Sequence, residues 1–184
     1  MKIDILFLNN KMNGHDEFFD NELFQEYCET HSFEGKKNQI LSVPPSYSKS
    51  ENLTFIVGLG ENKEDINFYD LGTIIGSKIN SDAEIKFLNV VEDTNLIIDG
   101  ILYVQYKFNN YKSEDDSSVN NITFQDLDSS ENEIKKNSVF WVRDLINTPA
   151  LDKSPEQFIN KVKELVDSSG IEVEVYDQKW LEEN

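Results

Sequence analysis

Short apolar runs separated by polar stretches set the plan of this chain, and their spacing changes between the two periods that mark strands and helices. Residues 3–8 (IDILFL) alternate and then run apolar, as a strand entering a sheet does. Residues 9–20 are mostly polar, with Asn13-Gly14 as a turn signal. Leu23, Phe24 and Tyr27 fall on one face of a short helix. Residues 33–43 (FEGKKNQILSV) read as two short strands around a Gly35-Lys36 turn, closed by Pro44-Pro45. Residues 53–57 (LTFIV), ended by Gly58-Leu59-Gly60, form the near-continuous apolar run of a central strand buried on both faces.

A helix is predicted over residues 66–79, where Phe68, Leu71, Ile75 and Ile79 share a face. Another strand is predicted over 84–91 (EIKFLNVV), then a helix over 96–105 with Ile97, Ile101 and Val104 at helical spacing and Gly100 allowing close packing. Residues 106–111 are aromatic and extended, 113–121 form an acidic, Ser-rich loop, and 122–124 make one more short strand. Strand, helix, strand, helix in succession argues for a layered α/β domain with a largely parallel sheet.

The polar run 125–132 has Leu127 as its one apolar anchor and marks a domain boundary. A helix with Val139, Val142 and Ile146 on one stripe follows it and stops at Asn147-Thr148-Pro149, because the residue before a proline is pushed out of the α region. The next helix opens on Ser154-Pro155-Glu156-Gln157. Ser154 is the cap, Pro155 takes the first helical position, and Gln157 completes a capping box. Phe158, Val162, Leu165 and Val166 are placed inward, Gly170 ends the helix, and 171–175 (IEVEV) alternates as a half-exposed strand. Such a unit lacks its next strand and leaves an edge uncovered, which suggests a fragment of something longer.

At 184 residues the chain fits one domain, or one domain and part of another. Its net charge of −18 disfavours nucleic acid and anionic membrane as partners. Cys28 is the sole cysteine, so no intrachain disulfide forms and a reducing, cytoplasmic setting is expected. No run is long enough to span a bilayer.

Chemistry is sparse. Cys28 and His31 can share a helical face, but two ligands do not make a zinc site. Gly58-Leu59-Gly60 after a strand invites a phosphate-binding reading, yet Lys63 stands where a dinucleotide fingerprint needs its third glycine. Glu114-Asp115-Asp116 lacks the glycine and terminal Glu of a calcium loop, and Arg143-Asp144 reads as an ion pair or a solvated helix face. No nucleophile stands with a base and an orienting group, so no catalytic, cofactor-binding or metal-binding residue is assigned in this chain.

The particular residues carry a resemblance. Arg143-Asp144-Leu145-Ile146-Asn147-Thr148-Pro149-Ala150, followed by Ser154-Pro155 and Phe158, resembles the segment joining the N-terminal and catalytic domains of cytosol (leucyl) aminopeptidases. Phe33-Glu34-Gly35-Lys36, Phe55-Ile56-Val57-Gly58-Leu59-Gly60, Asp99-Gly100-Ile101-Leu102 with Tyr106-Lys107-Phe108 and Tyr111-Lys112, and Lys179-Trp180-Leu181-Glu182-Glu183 are similar to family motifs in the same order. Leu151 stands where that family more usually has Asn.

The resemblance implies an α/β, macro-domain-like three-layer domain with a mixed, largely parallel sheet over 1–128. A linker helix over 129–149 follows it, then the first helix and strand of a truncated catalytic domain over 150–184. It further implies a parent metallopeptidase that is a hexamer, uses two divalent metals (zinc or manganese) and removes N-terminal residues from peptides. This chain, without the parent's metal ligands, would be inactive and would support oligomer assembly and active-site access. The alternative is a free-standing macro-like module binding ADP-ribose, against which the chain offers few glycines to wrap a pyrophosphate.

Overall fold

The structure is a computed structural model and describes residues 1–61, 65–111, 119–167 and 170–183. By its internal contacts the chain divides into two compact units, Met1–Phe140 and Trp141–Asn184.

The first unit is built on a five-stranded sheet in the order β2-β3-β1-β4-β5. β1 (Lys2–Leu8) is central and pairs in parallel with β3 (Leu53–Gly58) on one side and β4 (Ala83–Phe87) on the other. β5 (Ile122–Phe124) extends the parallel set beyond β4, and β2 (Ile40–Val43) pairs antiparallel with β3. The chain leaves β1 in one direction to reach β3 and crosses back over it to reach β4. Right-handed crossovers in opposite directions put their helices on opposite faces. Accordingly α1 (Asn21–Thr30) covers one face, while α2 (Phe68–Gly76) and α3 (Thr94–Tyr103) cover the other. The mixed, mostly parallel sheet expected from the sequence is present, in three layers.

The alternation of β1 decides which side chain meets which helix. Ile3, Ile5 and Phe7, with Phe55 and Val57, pack under Leu71, Ile75, Ile97 and Ile101. Leu6, Leu8 and Ile56 point the other way, to Phe24, Cys28, Phe33 and Leu41. Phe68, Leu71, Ile75 and Ile79 are all buried, as their spacing predicts. In α1 the inward residues are Phe24 and Cys28, whereas Leu23 is exposed, so the face is rotated from the one expected.

Two strands expected from the sequence do not form. Residues 33–36 are an irregular loop held by one side chain. Gln39 Oε1 accepts from the N–H groups of Glu34 and Lys36, each at 3.0 Å, and Gln39 Nε2 donates to the Ser32 carbonyl at 3.1 Å. An amide side chain thus stands in for a partner strand, which a pattern of apolar positions cannot reveal. Residues 171–175 alternate correctly but have no neighbouring strand among the described residues, and alternation makes a strand only where a ladder partner lies beside it.

α4 (Ser130–Asn147) crosses the division between the units. Asn132 in its first turn is buried and donates through Nδ2 to Asp99 Oδ1 at 2.8 Å and to the Asn95 carbonyl at 3.0 Å. Tyr106 meets Phe140 edge to face, with ring centroids 5.1 Å apart. Of the stripe expected from the sequence, Val142 and Ile146 are exposed.

α2 and α3 touch backbone to backbone. A Cβ on Gly100 would lie 2.2 Å from the Tyr69 carbonyl oxygen, and one on Gly72 would lie 2.2 Å from that of Ile97. Gly100→Ala is therefore expected to force the helices apart and to lower stability by roughly 1–3 kcal/mol or more, the cost of overpacking, read as a fall in the urea midpoint.

Candidate functional site

In open α/β sheets ligands sit beyond the carboxyl ends of the strands, where the crossovers diverge. Here that place is the end of β1, β3 and β4. Asn89 continues the β1–β4 pairing with its side chain: Oδ1 accepts from the Phe7 N–H at 2.9 Å and Nδ2 donates to the Phe7 carbonyl at 2.8 Å.

Gly58-Leu59-Gly60 closes β3 at this end, but its N–H groups are already occupied. Gly58 N donates to the Gln39 carbonyl at 2.8 Å, Leu59 N to that of Leu8 at 2.8 Å, and Gly60 N to that of Gly35 at 2.9 Å. The glycines are required by close approach instead. A Cβ on Gly58 would stand 2.1 Å from the Lys36 carbonyl oxygen, and Gly60 has φ +75°. A phosphate cradle needs N–H groups aimed outward, and this loop aims them into the protein. Lys63, the other residue in that sequence argument, lies outside the described residues.

Next to this loop, an open crevice of about 620 Å³ is lined by Ile66, Asn67, Phe68 and Leu96 together with Asp65, Glu92 and Asp93. Those carboxylates stand where the positive helix ends would otherwise attract an anion. Asn67 caps α2 by accepting from the Asp70 N–H at 3.2 Å. An apolar lining with three carboxylates beside it does not suit a pyrophosphate. ADP-ribose titrated into the chain at millimolar concentration is expected to give no binding heat in calorimetry.

Cys28 and His31 do not converge on a metal. Cys28 is buried, and burial pushes its thiol up to about 11, while exposed His31 stacks on Tyr27 with ring centroids 4.2 Å apart and its Nδ1 lies 2.8 Å from the Tyr27 carbonyl. Among the described residues no group of three or more His, Cys, Asp or Glu side chains could hold a metal ion. Glu114-Asp115-Asp116 lies outside the described residues.

The joint after α4 is built as the sequence implies, with one addition. A single turn over Ala150–Asp152 separates α4 from α5 (Pro155–Val166). Gln157 N donates to Ser154 Oγ at 3.2 Å and Ser154 N to Gln157 Oε1 at 2.9 Å, which closes the capping box. Thr148, buried, donates from both N and Oγ1 to the Asp144 carbonyl, at 2.9 and 2.6 Å. The addition is Lys153, whose ammonium donates to the Leu145 carbonyl at 2.8 Å and reaches that of Ile146 at 3.4 Å. It satisfies the carbonyls that Pro149 leaves orphaned and complements the helix dipole. A basic residue a few places past a helix-ending proline was the available signal.

The curated relatives of this chain are probable cytosol aminopeptidases. That of Sulfurihydrogenibium sp. (strain YO3AOP1) is 26% identical over 95% of this chain and 40% of its own length. That of Aquifex aeolicus (strain VF5) is 25% identical over 85% and 35%, and that of Clostridium perfringens (strain 13 / Type A) 26% over 82% and 36%. No family model matches the chain. Among solved structures, the cytosol aminopeptidase from Coxiella burnetii superposes with a TM-score of 0.73 at 21% identity, over all of this chain and 39% of its own. A tomato leucine aminopeptidase mutant gives 0.73 at 15%, over 99% and 43%. The chain resembles the N-terminal region of the cytosol aminopeptidases. It spans about 35–40% of the length of the relatives just named, and the structural likeness at these identities speaks for the fold. No helix is long and apolar enough to cross a membrane among the described residues.

The raised Cys28 value carries a pH dependence. Its folded pKa of about 11 lies above the unfolded thiol value, so its contribution to stability is complete below the unfolded value of about 8.5 and is lost as pH rises through about 11. Urea midpoints of the native chain should fall over that window, and more steeply than those of Cys28→Ala, which keeps the tyrosine titrations but not the thiol.

Proposed function

We propose that this chain is the N-terminal, non-catalytic portion of a cytosol-aminopeptidase-like metallopeptidase. Residues 1–128 form a macro-like domain, 129–149 a linker helix and 150–184 the beginning of the catalytic domain. The observation that supports this is the state of the second unit. Among its described residues no apolar side chain is buried, while Leu151 is 93% exposed, Leu181 66% and Leu165 52%. α5 has a clear apolar face and a closed N-terminal capping box, and such a helix takes most of its stability from packing that face. Fully burying one Leu is worth about 1.5–3 kcal/mol, so the unit has much to gain from a further layer. The relatives have the length to supply it, since this chain matches well under half of them.

The parent removes N-terminal residues, leucine among them, from peptides in the cytoplasm. Two divalent metals, zinc or manganese, would supply Lewis-acid polarisation of the scissile carbonyl and activation of water, held by residues of the parent other than those of this chain. A bottromycin maturation enzyme solved in complex with Mn shares this fold, with a TM-score of 0.72 at 14% identity. The first unit supports assembly of a hexamer and controls access to the active site.

The full-length protein, supplied with manganese or zinc, is expected to hydrolyse leucine p-nitroanilide and to run as a hexamer in light scattering. The 1–184 chain under the same conditions is expected to show no turnover above the uncatalysed rate. A full-length product that is inactive with both metals overturns the reading.

A further inference from the structure

The turn ahead of α1 contains the one Asn-Gly pair of the chain, Asn13-Gly14. Both residues are exposed, Gly14 has φ +87°, and nothing lies within 4 Å of where a Cβ on it would stand. Neither the backbone N–H of Gly14 nor the side chain of Asn13 makes a hydrogen bond among the described residues. The Gly14 nitrogen is thus unscreened by a side chain, unheld by an acceptor and open to water. Those are the conditions under which a backbone nitrogen can reach the side-chain carbonyl carbon of the residue before it.

The chain holds an internal contrast. Asp99-Gly100 has the same potential for ring closure, but it lies inside α3, where the Gly100 N–H belongs to the helical ladder. Asp99 is buried and its Oδ1 is held by Asn132 Nδ2 at 2.8 Å, and Gly100 packs against the backbone of α2. One pair is free to react and the other is locked.

We propose that Asn13 is a site of spontaneous deamidation through a succinimide. The Gly14 nitrogen attacks Cγ of Asn13, the bond from Cγ to the side-chain amide nitrogen breaks, and ammonia leaves with the transferred proton. Water then opens the ring at the side-chain carbonyl to give aspartate, or at the main-chain carbonyl to give isoaspartate. The sum is one water consumed, one ammonia released and one negative charge gained, with no change of oxidation state.

The isoaspartate product has a structural consequence. His15, immediately after the pair, rests its ring on Phe24 with centroids 4.3 Å apart, and its Nδ1 bonds the Met12 carbonyl. Met12 packs against the core on the α1 face. Isoaspartate inserts one extra main-chain carbon between these two anchored residues, so the seat of His15 on Phe24 is disturbed; aspartate leaves the backbone path unchanged.

The test is ageing of the intact chain at 37 °C and mildly alkaline pH, followed by peptide mapping. The peptide carrying Asn13 should gain about one mass unit and resolve into aspartate and isoaspartate forms. Its rate in the native protein should lie within about threefold of that in the urea-unfolded chain, because an unprotected turn reacts as an unfolded one does. Asp99 should isomerise only in urea. Asn13→Gln should fold with the same circular dichroism and show no gain. A native rate at Asn13 lower than the unfolded rate by about tenfold or more, or conversion of Asp99 in the native protein, would overturn the inference.

Discussion

β1 has no free edge and, from Ile3 onward, no free face, and the rest of the first unit is placed by that constraint. Its one polar interior side chain, Asp4, is 3% exposed. A carboxylate so placed is costly unless its oxygens find donors. Ser50 Oγ and Asn52 Nδ2 both donate to it, and Asn52 N donates to Ser50 Oγ at 3.0 Å, so the segment entering β3 is folded back to serve the start of β1. The burial of one strand therefore reaches out and orders a surface loop.

A second consequence falls on the helices that cover it. α2 and α3 must both fit over the same face of a narrow sheet, and they do so by meeting at Gly72, Gly76 and Gly100. Contact at backbone distance lets Leu71, Ile75, Ile97 and Ile101 all reach the strands below. It also fixes α3 firmly enough to present Asp99 to Asn132, which anchors the first turn of α4. Sheet, helix pair and the first turn of α4 form one chain of dependence within the first unit.

What the sequence made legible follows the same lines. Strands buried on both faces, the α2 stripe, the role of Gly100 and the capping box at Ser154 were readable, because each is a local pattern with a single physical reading. The first of the two strands expected over 33–43 failed because Gln39 replaces a ladder partner, and a side-chain bond carries no periodicity. The expected strand at 171–175 failed for the opposite reason: the pattern is right, but a strand needs a neighbour. The stripe of α4 and the inward face of α5 were readable as amphipathic patterns. Val142, Ile146, Phe158 and Leu165 are exposed because amphipathicity states what a face requires, not whether the requirement is met within the chain.

The glycines at the end of β3 show why the site could not be read the same way. A Gly-rich strand end serves two purposes with one spelling: it can open N–H groups to an anion, or it can let another segment of backbone lie on top of it. What separates them is the destination of three hydrogen atoms. In this protein Gly35, Gln39 and Leu8 accept them. The segment that lies on top is the same irregular loop that Gln39 holds in place, so the missing strand and the missing phosphate site have one cause. The loop that breaks the strand pattern is therefore what closes the strand end to an anion.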